Sequence, residues 1–66
     1  MMKAFVQRMH DELEALEEKI DKLHTFTLSD NFNDLSEKAQ ILLTTQLSAM
    51  STYYGVLTMR IDLYQE

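Results

Sequence analysis

Residues 25–36 read TFTLSDNFNDLS, and this polar segment divides the chain into two parts. It is rich in Ser, Asp and Asn, which favour turns and helix caps over helix interiors. Proline is absent from the chain and glycine occurs once, so nothing else in the sequence interrupts a long helix. The sequence predicts one all-α helical-hairpin domain over residues 1–66. Its helices are predicted at about 3–25 and 36–64, with a loop at about 26–35 and Ser36 or Asp34 as the second N-cap.

The first predicted helix carries one narrow apolar row. Its members alternate three and four residues apart, as in the seam of a coiled coil, and acidic residues lie off this row. The row consists of Val6, Met9, Leu13, Leu16, Ile20 and Leu23. A single narrow row indicates a single packing partner, the second helix.

The second predicted helix carries two adjacent rows. The first consists of Leu43, Leu47, Met50, Tyr54, Leu57, Ile61 and Tyr64. The second consists of Ala39, Leu42, Gln46, Ala49, Tyr53, Val56, Arg60 and Leu63. Two rows are too wide for one antiparallel neighbour to cover. We expect the first row to pack on the first helix and the second on another copy, giving an antiparallel hairpin that assembles into a homo-oligomeric helical bundle. The loop residues Phe32 and Leu35 are expected to fold over the end of the hairpin.

Gln46 and Arg60 are polar members of an otherwise apolar row. They are fourteen residues apart, which is roughly 21 Å along a helix, so they do not pair within one chain. A buried amide or guanidinium is costly unless it finds a partner. Such residues either fix the register of an interface or line a pocket between protomers, with Tyr53 as a stacking surface and Arg60 meeting an anion. The sequence leaves open whether Tyr53 or Tyr54 would face a ligand.

Lys19, Lys22 and Phe26 lie near the end of the first predicted helix. Basic side chains are favoured there by the helix dipole, which is one explanation for them. The other is a ligand-binding lip, in which the ring stacks on a base and the ammonium groups hold its phosphate.

Composition excludes several classes of function. The chain of 66 residues has eleven acidic and six basic residues, a net charge of −5, which disfavours DNA or RNA binding. We expect no membrane span, and the start of the chain does not have the pattern of a signal peptide. Cysteine is absent, and no catalytic or cofactor motif is present. His10 and His24 lack helical metal-site spacing and are expected to be solvated surface residues. The sequence therefore predicts a protein that is not an enzyme and has no catalytic residue, metal or cofactor. A chain this short is expected to need self-association for stability.

Residues 17–26 and 31–61 resemble a family of short uncharacterised proteins of tailed bacteriophages, including crAss-like phages. The shared pattern is Lys-Ile-x-Lys-Leu-x-x-Phe, Phe-x-x-Leu, Gln-x-Leu-Leu, Gln-Leu-x-Ala-Met-x-x-Tyr and Val-Leu-x-x-Arg-Ile, which begins here at Lys19, Phe32, Gln40, Gln46 and Val56. Ala39 departs from the family, which usually has a Glu that would complete a capping box with Ser36.

More distantly, the architecture is similar to the helical-hairpin domain of phage anti-CBASS and anti-Thoeris sponges. Those proteins form homo-oligomers, including hexamers, and sequester cyclic-nucleotide or cyclic ADP-ribose immune signals between protomers without cleaving them. The resemblance implies a counter-defence sponge in the cytoplasm of the infected host, but no ligand residue of those proteins is carried over to this chain. The candidate ligand-binding residues follow from the chemistry of the two sets described above and are Lys19, Lys22, Phe26, Gln46, Tyr53 and Arg60. The alternative is a small helical module that inhibits a host protein through an exposed apolar helix face.

Overall fold

The computed structural model describes residues 3–65, and these residues contain helices and connecting turns but no strand. Helix α1 spans Ala4–Thr27, α2 spans Asp30–Asn33 and α3 spans Glu37–Asp62. Helices α1 and α3 pack as an antiparallel hairpin about 49 Å long and 14 Å wide. The all-α class and the hairpin are confirmed. The single domain stays a prediction, and its residues Met1, Met2 and Glu66 lie outside the described residues.

The apolar row of α1 faces α3, as its spacing predicted. Val6, Met9 and Leu16 are buried, and the other three members of the row are half-buried. Val6 and Met9 form the main core cluster with Leu57 and Ile61 of α3. Residues spaced three and four apart share one face of a helix, so this row is covered by a single neighbour.

The first row of α3 forms the other half of the core. Leu57 is fully buried and Ile61 is 4% exposed, while the members from Leu43 to Tyr54 are half-buried. The last member of the row, Tyr64, is 48% exposed and lies in a turn beyond Asp62, so α3 ends before the predicted position of about 64. Its ring still packs on α1, edge-to-face with Phe5, with the two centroids 4.9 Å apart. The core therefore ends at Ile61.

The connecting segment is more ordered than the predicted loop at about 26–35. α1 continues to Thr27, and the short helix α2 follows because the Ser29 hydroxyl accepts a hydrogen bond from the backbone N–H of Phe32 at 3.3 Å. Phe32 is buried and its ring lies edge-to-face on Phe26, which closes the end of the hairpin as expected.

Helix α3 begins at a side-chain cap, which fixes where the chain leaves the turn. The hydroxyl of Ser36, one of the two predicted caps, accepts a hydrogen bond from the backbone N–H of Ala39 at 3.2 Å. The side chain of Gln40 adds a second tie, because its amide donates to the carbonyl oxygen of Leu35 at 2.9 Å. None of the helices described is both long and apolar enough to cross a bilayer.

Candidate functional site

The solvent side of α3 is the most unusual surface of the hairpin. We call it the outer face, and its members are Leu42, Gln46, Ala49, Tyr53, Val56, Arg60 and Leu63, the last of which is the C-cap residue just beyond α3. All of them are exposed in the single chain, including the large side chains Leu42 at 60% and Leu63 at 77%. They are the members of the second predicted row apart from Ala39, which is half-buried. The structure leaves this face uncovered by α1.

Charge is absent along most of α3. No charged residue occurs between Lys38 and Arg60, whereas α1 carries Asp, Glu, Lys and Arg along its whole solvent side. An exposed helix that faced only water would be expected to carry charges on that side. The outer face therefore has the composition of a surface that becomes buried.

Most serine and threonine hydroxyl groups along α3 are already satisfied within the helix. Thr45, Ser51, Thr52 and Thr58 each donate a hydrogen bond to the carbonyl oxygen four residues earlier, at distances from 2.7 to 3.1 Å. Burial of a hydroxyl is costly mainly when its donor loses water and gains no partner. These side chains can therefore enter a dry contact at low cost.

Gln46 and Arg60 differ from these hydroxyls because their polar groups are poorly satisfied. The amide nitrogen of Gln46 reaches only the thioether sulfur of Met50 at 3.8 Å, and thioethers are weak acceptors. Arg60 is exposed, and its guanidinium makes no ion pair with any residue in 3–65. Both groups keep hydrogen-bonding capacity for a partner outside the chain.

Tyr53 and Tyr54 point to different sides of α3. Tyr53 belongs to the outer face and is 42% exposed, whereas Tyr54 is half-buried against α1. With Gln46 and Arg60, Tyr53 forms what we call the outer-face group. Its members are seven residues apart, which places consecutive ones about 10 Å apart along the helix.

Lys19, Lys22 and Phe26 form a second set, which we call the loop-end group. Both lysines are exposed, and the ammonium of Lys22 lies 3.1 Å from a carboxylate oxygen of Glu18, one turn earlier. Phe26 is half-buried, and its ring contacts that of Phe32 nearly at right angles, with the two centroids 6.1 Å apart. The ring is therefore partly used in closing the hairpin.

The six predicted ligand-binding residues do not form one site within a single chain. Phe26 lies at the turn, whereas Arg60 lies near the other end of α3, roughly 30 Å away along the helix axis. Gln46 and Tyr53 lie between them on the outer face. A ligand that contacts both groups would have to bridge two chains.

A groove between the two long helices was not predicted from sequence. Its volume is about 290 Å³, and it is lined by Glu17, Ile20, Asp21, Ser51 and Tyr54. None of these is a predicted ligand-binding residue. The two carboxylates give the groove negative charge, so it does not suit a phosphate. The sequence gave only a weak indication of this groove, because acidic residues beside an apolar row usually belong to a face exposed to solvent.

His10 also differs from its expected position. The sequence placed it on the surface, but the residue is half-buried, and its Nε2 atom is buried with no hydrogen-bond partner among residues 3–65. Within the described part of the chain, no group of three or more His, Asp or Glu residues is arranged to hold a metal ion.

Comparison with known families gives a direct assignment. The family model named Sequestin matches residues 3–63, which covers both long helices, the turn and every predicted ligand-binding residue. The chain belongs to the Sequestin family. No curated protein and no solved structure shows significant similarity to it.

Membership of the Sequestin family bears on the class of function. The name is consistent with a protein that sequesters a molecule, and it suggests a binding protein in place of an enzyme. It is also consistent with the sponge resemblance found in the sequence. Because the Sequestin match includes the outer face and the loop-end group alike, it does not favour either group over the other.

Proposed function

We propose that this chain is a phage counter-defence protein of the Sequestin family that binds and sequesters a nucleotide-derived immune signal in the cytoplasm of the infected bacterium. The signal is a cyclic oligonucleotide or a cyclic ADP-ribose type molecule, which is held between protomers of a homo-oligomer and is not cleaved. The observation that carries the proposal is the outer face, which is exposed, almost uncharged and contains the unsatisfied polar groups of Gln46 and Arg60. The family to which the chain belongs is named for sequestration, which supports the same function.

The proposed pocket uses complementary chemistry from different side chains. A nucleobase stacks on Tyr53 or on the free part of the Phe26 ring, since aromatic stacking accepts any base. Arg60 holds a phosphate with two parallel N–H groups, and Lys19 or Lys22 adds a point charge. Burial between chains removes water from the ligand and strengthens these contacts. Neither DNA nor RNA is the partner, because the chain is acidic overall.

Sequestration in this form is stoichiometric. No nucleophile, metal or general base is needed, because the host effector is silenced once free signal falls below the concentration it requires. The protein must therefore bind tightly and be abundant. Turnover of the ligand is not part of the proposal.

Thermal unfolding against a panel of cyclic dinucleotides, cyclic trinucleotides and cyclic ADP-ribose isomers tests this function. A ligand at 100 times its Kd stabilises the folded state by about 2.7 kcal/mol, which raises Tm by more than about 10 °C in a domain of this size. The bound molecule should be recovered unchanged after denaturation. A cleaved product would instead show an enzyme.

The residue assignment is tested with matched cation variants. Arg60→Ala should remove the ligand-induced rise in Tm, whereas Arg8→Ala, which deletes an exposed guanidinium from α1, should leave it unchanged. Solution mass is measured for both variants. If Arg60→Ala dissociates the oligomer as well, the lost rise in Tm reflects the loss of assembly and does not assign Arg60 to ligand contact.

The exposed apolar side chains of the outer face also favour a second candidate, a helical module that inhibits a host protein. The two candidates separate in the same experiments. A stable 1:1 complex with a purified host protein, together with no thermal shift from any nucleotide signal, would support the inhibitor and overturn the sponge.

A further inference from the structure

The outer face of α3 has a sequence that is complementary to itself when reversed. Leu42 and Leu63 occupy its ends, Gln46 and Arg60 the next positions, and Ala49 and Val56 the inner ones. Tyr53 lies at the middle. A second copy of the same helix running in the opposite direction therefore places leucine against leucine, amide against guanidinium, and the small Ala49 against the larger Val56.

A two-fold arrangement also satisfies the two polar groups that the single chain leaves unpaired. Gln46 and Arg60 are roughly 21 Å apart in one chain, but antiparallel pairing brings each to the other across the contact, twice in every dimer. The carbonyl of a glutamine can accept up to two N–H groups, while a guanidinium offers five. Donors of Arg60 therefore remain at the edge of the contact for an anion.

The exposed area of the chain agrees with a missing partner. The hairpin exposes 5208 Å², whereas a folded monomer of 7.8 kDa is expected to expose about 4,400 Å². The excess of about 800 Å² accompanies the elongated shape of the hairpin, and it equals the area that each partner loses in an interface of standard size. The uncharged stretch of α3 and its internally bonded hydroxyls make this the surface that is least costly to bury.

We propose that α3 packs antiparallel against α3 of a second copy, about a two-fold axis at Tyr53, with Gln46 of each chain bonded to Arg60 of the other. This contact deepens the self-association in the proposed function and rests on that part of it. It brings the whole outer-face group, from both chains, into one continuous strip. Ligand binding is not required for it to form.

Disulfide trapping tests the direction and register, because the chain has no cysteine of its own. The variants Ala49→Cys and Val56→Cys are mixed under reducing conditions, allowed to exchange subunits and then oxidised at low micromolar concentration. The proposal expects the mixed disulfide as the main product, since helices in direct contact bring opposing Cα atoms within disulfide range. Leu28→Cys, exposed at the turn, replaces one partner as the control for random collision.

Each other outcome of the trapping experiment contradicts the proposal. Ala49→Cys chains that crosslink mainly to each other would show a parallel contact. Mixed crosslinking no greater than with Leu28→Cys, in protein that keeps its helical circular dichroism, would show that the outer faces do not meet.

A charge exchange tests the Gln46–Arg60 contact. Gln46→Arg puts two guanidinium groups together at both contacts and should raise the dimer Kd at least about tenfold, because like charges facing each other are strongly unfavourable. Combining it with Arg60→Gln restores an arginine–glutamine pair, so the double variant should return to within about threefold of the original Kd. A double variant as weak as Gln46→Arg alone would overturn the pairing. Arg60→Gln alone serves as the neutral control.

The trapped dimer separates this inference from the proposed function. If the mixed disulfide forms and no nucleotide signal raises Tm, the contact stands and the sponge fails. If a signal binds and the mixed disulfide does not form, the sponge stands and the contact fails.

Discussion

Gly55 offers a substitution whose effect is set by the structure of α3 alone. It lies in the interior of the helix, its φ is not positive, and a methyl group built at its Cα meets nothing within 4 Å. Alanine therefore adopts the same backbone without a clash. Glycine in a helix interior is less stable than alanine by about 0.5–1 kcal/mol, because it loses more backbone freedom on folding.

The expected gain converts into a measurable shift in Tm. The entropy of unfolding is about 2.1 cal/mol/K per residue, or roughly 140 cal/mol/K for 66 residues. A gain of 0.5–1 kcal/mol then raises Tm by about 4–7 °C. Circular dichroism melts at two protein concentrations measure the shift and separate it from any change in self-association.

Gly55→Ser is the matched control for this substitution. It adds the same Cβ atom, but serine has a lower helix propensity than alanine, so the rise in Tm should be smaller. A fall in Tm with Gly55→Ala, larger at high protein concentration, would refute the reasoning. It would mean that another chain packs directly on the backbone at Gly55.

Three further substitutions test the hairpin. Leu57→Ala should destabilise the fold by about 2–5 kcal/mol because Leu57 is fully buried. Leu28→Ala, at a residue 75% exposed, should change Tm little. Equal effects of the two substitutions in urea unfolding would show that Leu57 does not belong to the core. Ser36→Ala should lower the free energy of unfolding by about 1 kcal/mol because it removes the cap on α3. Ser36→Asp should retain most of the stability that the cap supplies, as measured by circular dichroism melts. Phe32→Ala should lower the free energy of unfolding by about 3–5 kcal/mol. It should speed amide hydrogen exchange at the turn before the rest of the chain, because the ring of Phe32 closes that end of the hairpin. An equal increase in exchange along both long helices would argue against a local role.

Hydrophobic spacing was sufficient to predict the two long helices and the faces they turn to each other. The α1 row and most of the first α3 row follow from a period of 3.6 residues, which does not depend on the rest of the fold. Tyr64 kept the same spacing but lies beyond Asp62, where α3 ends. Periodicity gives the face of a residue within a helix and does not give the residue at which the helix ends.

The turn was predicted in part. Burial of Phe32 followed from the cost of leaving a loop phenylalanine in water, and the structure confirms it. Helix α2 was missed because it has four residues and depends on one cap, the hydroxyl of Ser29. Such a short helix has no periodic pattern that sequence alone can reveal.

The candidate site was less accessible from sequence than the fold. Row membership places Gln46, Tyr53 and Arg60 on one face, but their meeting depends on the arrangement of separate chains. The groove beside Ile20 and Tyr54 was missed for a related reason. It forms between α1 and α3, and the hydrophobic pattern of one helix does not determine the spacing between two helices.

The distribution of charge between α1 and α3 explains how an acidic protein can offer a site for an anion. Every charged residue of α3 lies within its first two or last three residues, whereas α1 carries acids along its length. The hairpin is about 14 Å wide, and charges in water are largely screened beyond about 8 Å at physiological ionic strength. The carboxylates on the solvent side of α1 therefore act weakly on the outer face. Lys22 is paired with Glu18, but Arg60 has no such pair among residues 3–65. An anion thus meets the least repulsion beside Arg60, which favours the outer-face group over the acidic groove.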